Sequence, residues 1–116
     1  MKKISFTKMV ASGNDFVVID RVQGTEYRVQ SVAQKICNRK YGIGADGLLV
    51  LEKSKIADVK MRIFNPDGSE AEMCGNGARC TALWATANRK PQTAKLKIET
   101  KAGIIESEVN NKNVKI

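Results

Sequence analysis

Residues 74–88 read CGNGARCTALWATAN, and this stretch decides the fold. From Ala78 onward nearly every position is apolar or small, so no polar stripe survives at helical spacing. A helix of about four turns with that composition is buried rather than laid on a surface. It is expected to run from Cys74 to Asn88, and the rest of the chain must then supply sheet around it.

Outward from that helix the patterning alternates. Upstream, DVKMRIF (58–64) sets Val59, Met61 and Ile63 on one face of a strand. NPDG (65–68) follows with turn chemistry, a proline second and a glycine fourth. LLVLE (48–52) and FVVID (16–20) are short β-branched or aliphatic runs that read as strands. KISFTK (3–8) alternates Ile4 and Phe6 with polar neighbours, a half-buried strand, and ASGNDF carries a turn signal after it. Gly24 breaks the chain. Downstream, LKIET (96–100) and GIIESEV (103–109) are strands, and VKI at the end begins a third.

One further helix is expected from Ser31 to Lys40. Ser31 and Gln34 have the spacing of a capping box. Val32, Ala33, Ile36 and Cys37 share a face, and Gly42 can stop the helix in the left-handed conformation. The fold class is therefore α+β: a mostly antiparallel sheet or barrel wrapped around a buried central helix, in one domain over residues 1–116.

GIGADG (42–47) has the letters of a dinucleotide fingerprint. That motif needs a strand before it and a helix after it. Here the order is reversed, so the segment reads as a turn. No Gly-Lys-Ser/Thr follows, which also removes a phosphate loop.

Composition narrows the chemistry. The chain has no histidine, the commonest general base and zinc ligand, so proton chemistry falls to Cys, Asp, Glu, Lys or Tyr. The three cysteines have no disulfide framework and suit reduced thiols in a cytosolic protein. No apolar run approaches the ~20 residues of a membrane span. The net charge of +8 raises nucleic acid as a partner, but the 20 basic residues are scattered and not interleaved with aromatics. A solvated basic surface is the better reading.

Cys74 and Cys80 lie six residues apart, about 240° around a helix, so they neither close a disulfide nor share a metal there. Cys37 and Cys80 fall on apolar helical faces and read as core. Cys74 stands at a helix start, where unpaired N–H groups and a partial positive charge favour a thiolate. The N–H groups of Gly75 and Asn76 can receive a carboxylate. One short segment thus offers a base and an anion seat side by side.

GNDF (13–16), GIGADG (42–47), FNPDGSE (64–70) and CGNGARC (74–80), in this order and spacing, resemble the N-terminal half of the diaminopimelate epimerase family. The resemblance implies interconversion of LL- and meso-diaminopimelate, in lysine and peptidoglycan precursor biosynthesis, without a cofactor or metal. Two cysteines on opposite faces of the α-carbon exchange the proton. Carried over by motif, Cys74 is one of the pair, Gly75 and Asn76 hold the α-carboxylate, and Asn14 and Asn65 bind the substrate's polar ends. The chain departs from the family at MVAS (9–12), where many members carry His-Gly, and at Gly47, where some carry a substrate-contacting glutamine. The second catalytic cysteine of the family has no counterpart here. The resemblance therefore implies half of an active site, a missing C-terminal domain, and self-association through the face left bare.

Overall fold

A computed structural model describes residues 6–20, 29–87, 93–110 and 113–116. The first half of the strand expected over 3–8, the break at Gly24 and the helix end expected at Asn88 lie outside the described residues.

The sheet is built from β1 (Thr7–Ala11), β2 (Asn14–Asp20), β3 (Gly47–Glu52), β4 (Val59–Phe64), β5 (Glu70–Ala71), β6 (Thr93–Thr100), β7 (Gly103–Asn110) and β8 (Asn113–Lys115). Its order is β1-β2-β3-β4-β6-β7-β8, with β5 also paired to β4. Most neighbours are antiparallel, as expected. Two pairs are parallel, β2 with β3 and β4 with β6. A parallel pair cannot be closed by a tight turn and needs a crossover. The two helices lie in those crossovers: α1 (Val29–Ile36) between β2 and β3, and α2 (Gly75–Ala87) between β4 and β6.

The two-residue period of each strand sorts its side chains between these helices. Phe16, Val18, Leu49, Leu51, Val59, Met61, Ile63, Leu96, Ile98 and Val109 pack with Ala78, Cys80, Ala82 and Ala85 of α2. Val17, Ile19, Leu48, Val50 and Phe64 pack with Val29, Ala33 and Cys37 at α1. The curled mixed sheet thus closes as a half-barrel over α2 and carries α1 on its back. That second layer explains why β2 and β3 are apolar on both faces, whereas exposed Lys95 and Lys97 of β6 alternate with buried Leu96 and Ile98.

The central helix is buried as its sequence predicts, with Gly77, Ala78, Cys80, Thr81, Ala82, Ala85 and Thr86 enclosed. Thr86 donates to the Ala82 carbonyl at 2.7 Å. The buried Thr81 hydroxyl has no partner among the described residues. Gly77 lets the helix start press onto the sheet: a Cβ there would stand 3.1 Å from Leu49 Cδ2 and 3.5 Å from Ile63 Cδ1.

Three local expectations are corrected. Phe6 is 47% exposed and outside β1, whose inward residues are Met9 and Ala11. Ser31 lies inside α1, so the capping box is not formed, and Gln34 instead donates to the Asp67 carbonyl at 2.7 Å. α1 ends at Ile36, four residues early, and Gly42 is absent from the left-handed glycines. Glycine is needed at 42 for space: a Cβ would lie 2.0 Å from the Lys35 carbonyl oxygen. The left-handed residue is Gly44, at φ 82°, whose N–H reaches back to the Ile36 carbonyl at 2.9 Å.

Candidate active site

The register of the sheet gathers the motifs at one end. Phe16 pairs with Gly47 and Leu48 with Phe64, so Asn14 and Asp15, which open β2, and Asp46 and Asn65, just outside β3 and β4, gather at one end of the sheet. The β1–β2 hairpin turns on Ser12 and Gly13, at φ 49° and 84°. Two consecutive positive φ values match the twist of a two-residue hairpin, and they start β2 at Asn14.

Helix α2 delivers the remaining residues to the same end. The Cys74 carbonyl accepts the Ala78 N–H at 2.9 Å, which makes Cys74 the residue that caps the helix. Its side chain is half-buried against the core. Among the described residues no acceptor is bonded to the N–H groups of Gly75, Asn76 and Gly77. A Cβ on Gly75 would meet nothing closer than an Arg79 nitrogen at 3.8 Å, so bare backbone is open on that side. The arrangement places a thiol beside free N–H donors at the positive end of a 13-residue helix.

Cys37 and Cys80 are 3% and 0% exposed. Burial pushes both thiols up, Cys80 to about 11 with the neighbouring Cys74 adding to the effect. Neither is placed for proton transfer at neutral pH.

Asn14 and Asn76 meet directly: the Asn76 amide donates to Asn14 Oδ1 at 2.5 Å. Asn65 does not join them in this state. It is exposed, its amide donates to Ser69 Oγ at 3.0 Å, and its carbonyl accepts the Gly68 N–H, closing the NPDG turn. Asn65 thus sits at the right end of the sheet with its side chain held in its own turn.

Residues not singled out in the sequence complete the site. Asn14 Nδ2 donates to Asp46 Oδ2 at 3.2 Å, and Arg79 Nη1 donates to Asn76 Oδ1 at 3.1 Å. Arg39 spans Asp15 and Asp46, at 2.9 and 3.0 Å, and Lys8 pairs with Asp15 at 3.0 Å and donates to the Gly44 carbonyl. The Arg39 hydrogen bond, with help from Lys8, holds the Asp15 carboxyl well below the usual carboxylate range against the opposing cost of burial. Asp46 and Arg79 stand inside motifs already quoted. GIGADG is an irregular loop that runs into β3 at Gly47, the turn itself lying just before it at residues 39–41, and its aspartate reaches across to Asn14. Only the parallel pairing of β2 with β3 brings those positions together.

Other chemistry is sparse. A groove of about 590 Å³ lined by Asp58, Lys95, Lys97, Glu106 and Lys115 among others lies on β6–β8, away from Cys74. Its mixed charges converge on no single group. No helix among the described residues is long and apolar enough to cross a membrane.

A curled mixed half-barrel closed over one helix is the fold of a class that includes epimerases and phenazine-biosynthesis proteins. A hydroxyproline epimerase from Agrobacterium vitis, solved with bound trans-4-hydroxy-L-proline, superposes with a TM-score of 0.67 at 14% identity, over 89% of this chain and 36% of that one. A PhzF-family phenazine biosynthesis protein from Bacillus anthracis gives 0.64 at 30% identity, over 90% and 34%. Within this class the family is specific: the diaminopimelate epimerase model matches residues 6–116, and the chain belongs to that family. The diaminopimelate epimerase of Caldanaerobacter subterraneus subsp. tengcongensis is 55% identical over 111 residues, 96% of this chain and 40% of the relative. That of Methanocella arvoryzae is 53% identical over 110 residues, 93% and 39%. The chain therefore spans about 40% of the length of the curated relatives it matches.

Proposed function

We propose that this chain supplies one half of the active site of a diaminopimelate epimerase that works without a cofactor, by two cysteines on opposite faces of the substrate. The observation that carries the reading is the start of α2. The one half-exposed thiol, Cys74, caps a helix whose next N–H groups have no acceptor among the described residues.

In this mechanism the Cys74 sulfur acts on the α-hydrogen of one configuration. As thiolate it removes the proton, and the electron pair stays on the α-carbon. A thiol on the far face then donates a proton to that carbon, which inverts it. In the reverse direction Cys74 is the donor. The carbanion is stabilised because the adjacent carboxylate rests on the Gly75 and Asn76 N–H groups, which already point at it and need no reorganisation. Asn14 and Asn65 would take the substrate's other polar groups; Asn65 must release Ser69 to do so. The opposing thiol belongs to a part of the protein outside these residues, since Cys37 and Cys80 are enclosed. A reducing, cytoplasmic setting suits thiols in this role.

The test is exchange of the α-hydrogen of diaminopimelate for solvent deuterium. The 116-residue chain alone should show none at a rate comparable with a complete enzyme. Adding the missing portion as a separate polypeptide should restore exchange. Cys74→Ala should then abolish it, whereas Cys37→Ala should not. Robust epimerisation by the chain alone would sink the half-site reading.

A further inference from the structure

Asn14 and Asn76 form the middle of a four-residue relay. Asp46 Oδ2 accepts from Asn14 Nδ2 at 3.2 Å, Asn14 Oδ1 accepts from Asn76 Nδ2 at 2.5 Å, and Asn76 Oδ1 accepts from Arg79 at 3.1 Å. An asparagine amide alone can turn either way round. The ends of this relay remove that choice. An ionised carboxylate only accepts, and a guanidinium only donates. Asp46 therefore obliges Asn14 to present its NH2, which turns Asn14 Oδ1 toward Asn76. Arg79 obliges Asn76 to present Oδ1 to it, which turns Asn76 NH2 toward Asn14. The two demands agree, and every other orientation opposes two acceptors or two donors. Each amide oxygen is turned onto its neighbour in the relay, and the one donor each amide has left is a single N–H. Asn76 also contributes a backbone N–H to the helix start.

We propose that Asp46 and Arg79 are positioning residues for the carboxylate seat: by locking the two ends of the relay Asp46–Asn14–Asn76–Arg79, they keep amide oxygens out of the seat and leave it furnished with donors only. The inference rests on the reading of Gly75 and Asn76 as the seat of the substrate carboxylate. Asp46 is itself held by Arg39 at 3.0 Å and by the Asp15 N–H at 3.1 Å, so its carboxylate is anchored independently of Asn14. Nothing in this role requires either residue to touch substrate.

The test uses the 116-residue chain labelled with nitrogen-15, and reads the side-chain N–H exchange of Asn14 and Asn76 with the backbone spectrum as a check on folding. Asp46→Ala should speed exchange at Asn76, which Asp46 does not touch, by roughly tenfold, the scale of one lost hydrogen bond. Arg79→Met should do the same at Asn14 from the other end, and Arg79→Lys, which keeps a donor-only cation, should restore it. Meso-diaminopimelate is the ligand probe, followed at the backbone N–H of Gly75 and Asn76; Asp46→Ala should weaken its binding about tenfold. If the alanine variant does not fold, the two Arg79 variants carry the comparison. Unchanged Asn76 exchange in a natively folded Asp46→Ala chain, or unchanged Asn14 exchange in Arg79→Met, overturns the relay. Failure of the seat has another signature: coupled exchange stays intact, but the probe leaves Gly75 and Asn76 unshifted in the parent chain. That result overturns the positioning role together with the carboxylate-seat reading.

Discussion

The three thiols should separate by reactivity, and the structure sets the scale. The perturbation is a short pulse of a small alkylating agent on the folded chain at pH 8. Only thiolate reacts. Burial raises Cys80 from 9.0 to about 11. At pH 8 a thiol of pKa 9.0 is about one-tenth ionised, and one near 11 about one-thousandth, so ionisation alone slows Cys80 roughly a hundredfold against an ordinary cysteine. Access slows it further. Cys80 is 0% exposed among Leu49, Ile63 and Ala82, and the agent must wait for α2 to open. Cys37, 3% exposed and likewise raised by burial, should also lag. Cys74, half-exposed at the helix start, carries neither of the barriers that burial sets at Cys80 and should be the first of the three to be labelled. Peptide mass spectrometry after quenching measures all three at once. In denaturant the three rates should converge, which shows that the fold imposes the order. Labelling of Cys37 or Cys80 within tenfold of Cys74 in the folded chain would refute the assignment of Cys74 as the working thiol.

Four further outcomes follow from particular contacts. Gly42→Ala must displace backbone, since its Cβ would lie 2.0 Å from the Lys35 carbonyl oxygen, and should cost about 1–3 kcal/mol or more in a denaturant titration; an unchanged midpoint would contradict this. Thr81→Val replaces a buried hydroxyl that lacks a partner among the described residues by a methyl of similar size, and should raise stability by about 1 kcal/mol; a lower melting temperature would show that the hydroxyl is satisfied. Asp15 has a lowered folded-state pKa, so its contribution is fully present above its unfolded value, about pH 4, and is lost as the pH falls through that value toward the folded one. Asp15→Asn should therefore flatten the stability curve below about pH 5, and parallel acid denaturation of variant and parent would argue against the Arg39–Asp15 pair. Finally, the chain should self-associate, because Val10 on the edge strand β1 and Ile104 on β7 are 64% and 47% exposed; a strict monomer by light scattering at high concentration would count against it.

Much of the architecture was legible in the sequence because its signals are local. The all-round apolar character of residues 78–87 required a buried helix, the strand at 59–64 follows from a two-residue period, and that at 47–52 from a short aliphatic run. The candidate base and anion seat were legible for the same reason: Cys74, Gly75 and Asn76 are consecutive, and a helix start has the same donors wherever it lies. Pairing direction was not legible. Antiparallel and parallel strands share one pattern, so only the folded chain fixes β2 beside β3 and β4 beside β6, with a helix in each crossover. The end of α1 is not legible either: Gly42 has the signature of a left-handed stop, but its constraint is the Lys35 carbonyl, seven residues earlier in the chain. Asp46 lies 32 residues from Asn14, and Asn14 lies 62 from Asn76. By itself the sequence determined the candidates for taking a proton or holding an anion, since that is chemistry of residue type and of neighbours along the chain. Tertiary structure alone decided which way the amides of Asn14 and Asn76 turn, since a hydrogen bond's polarity depends on the partner brought to it through space.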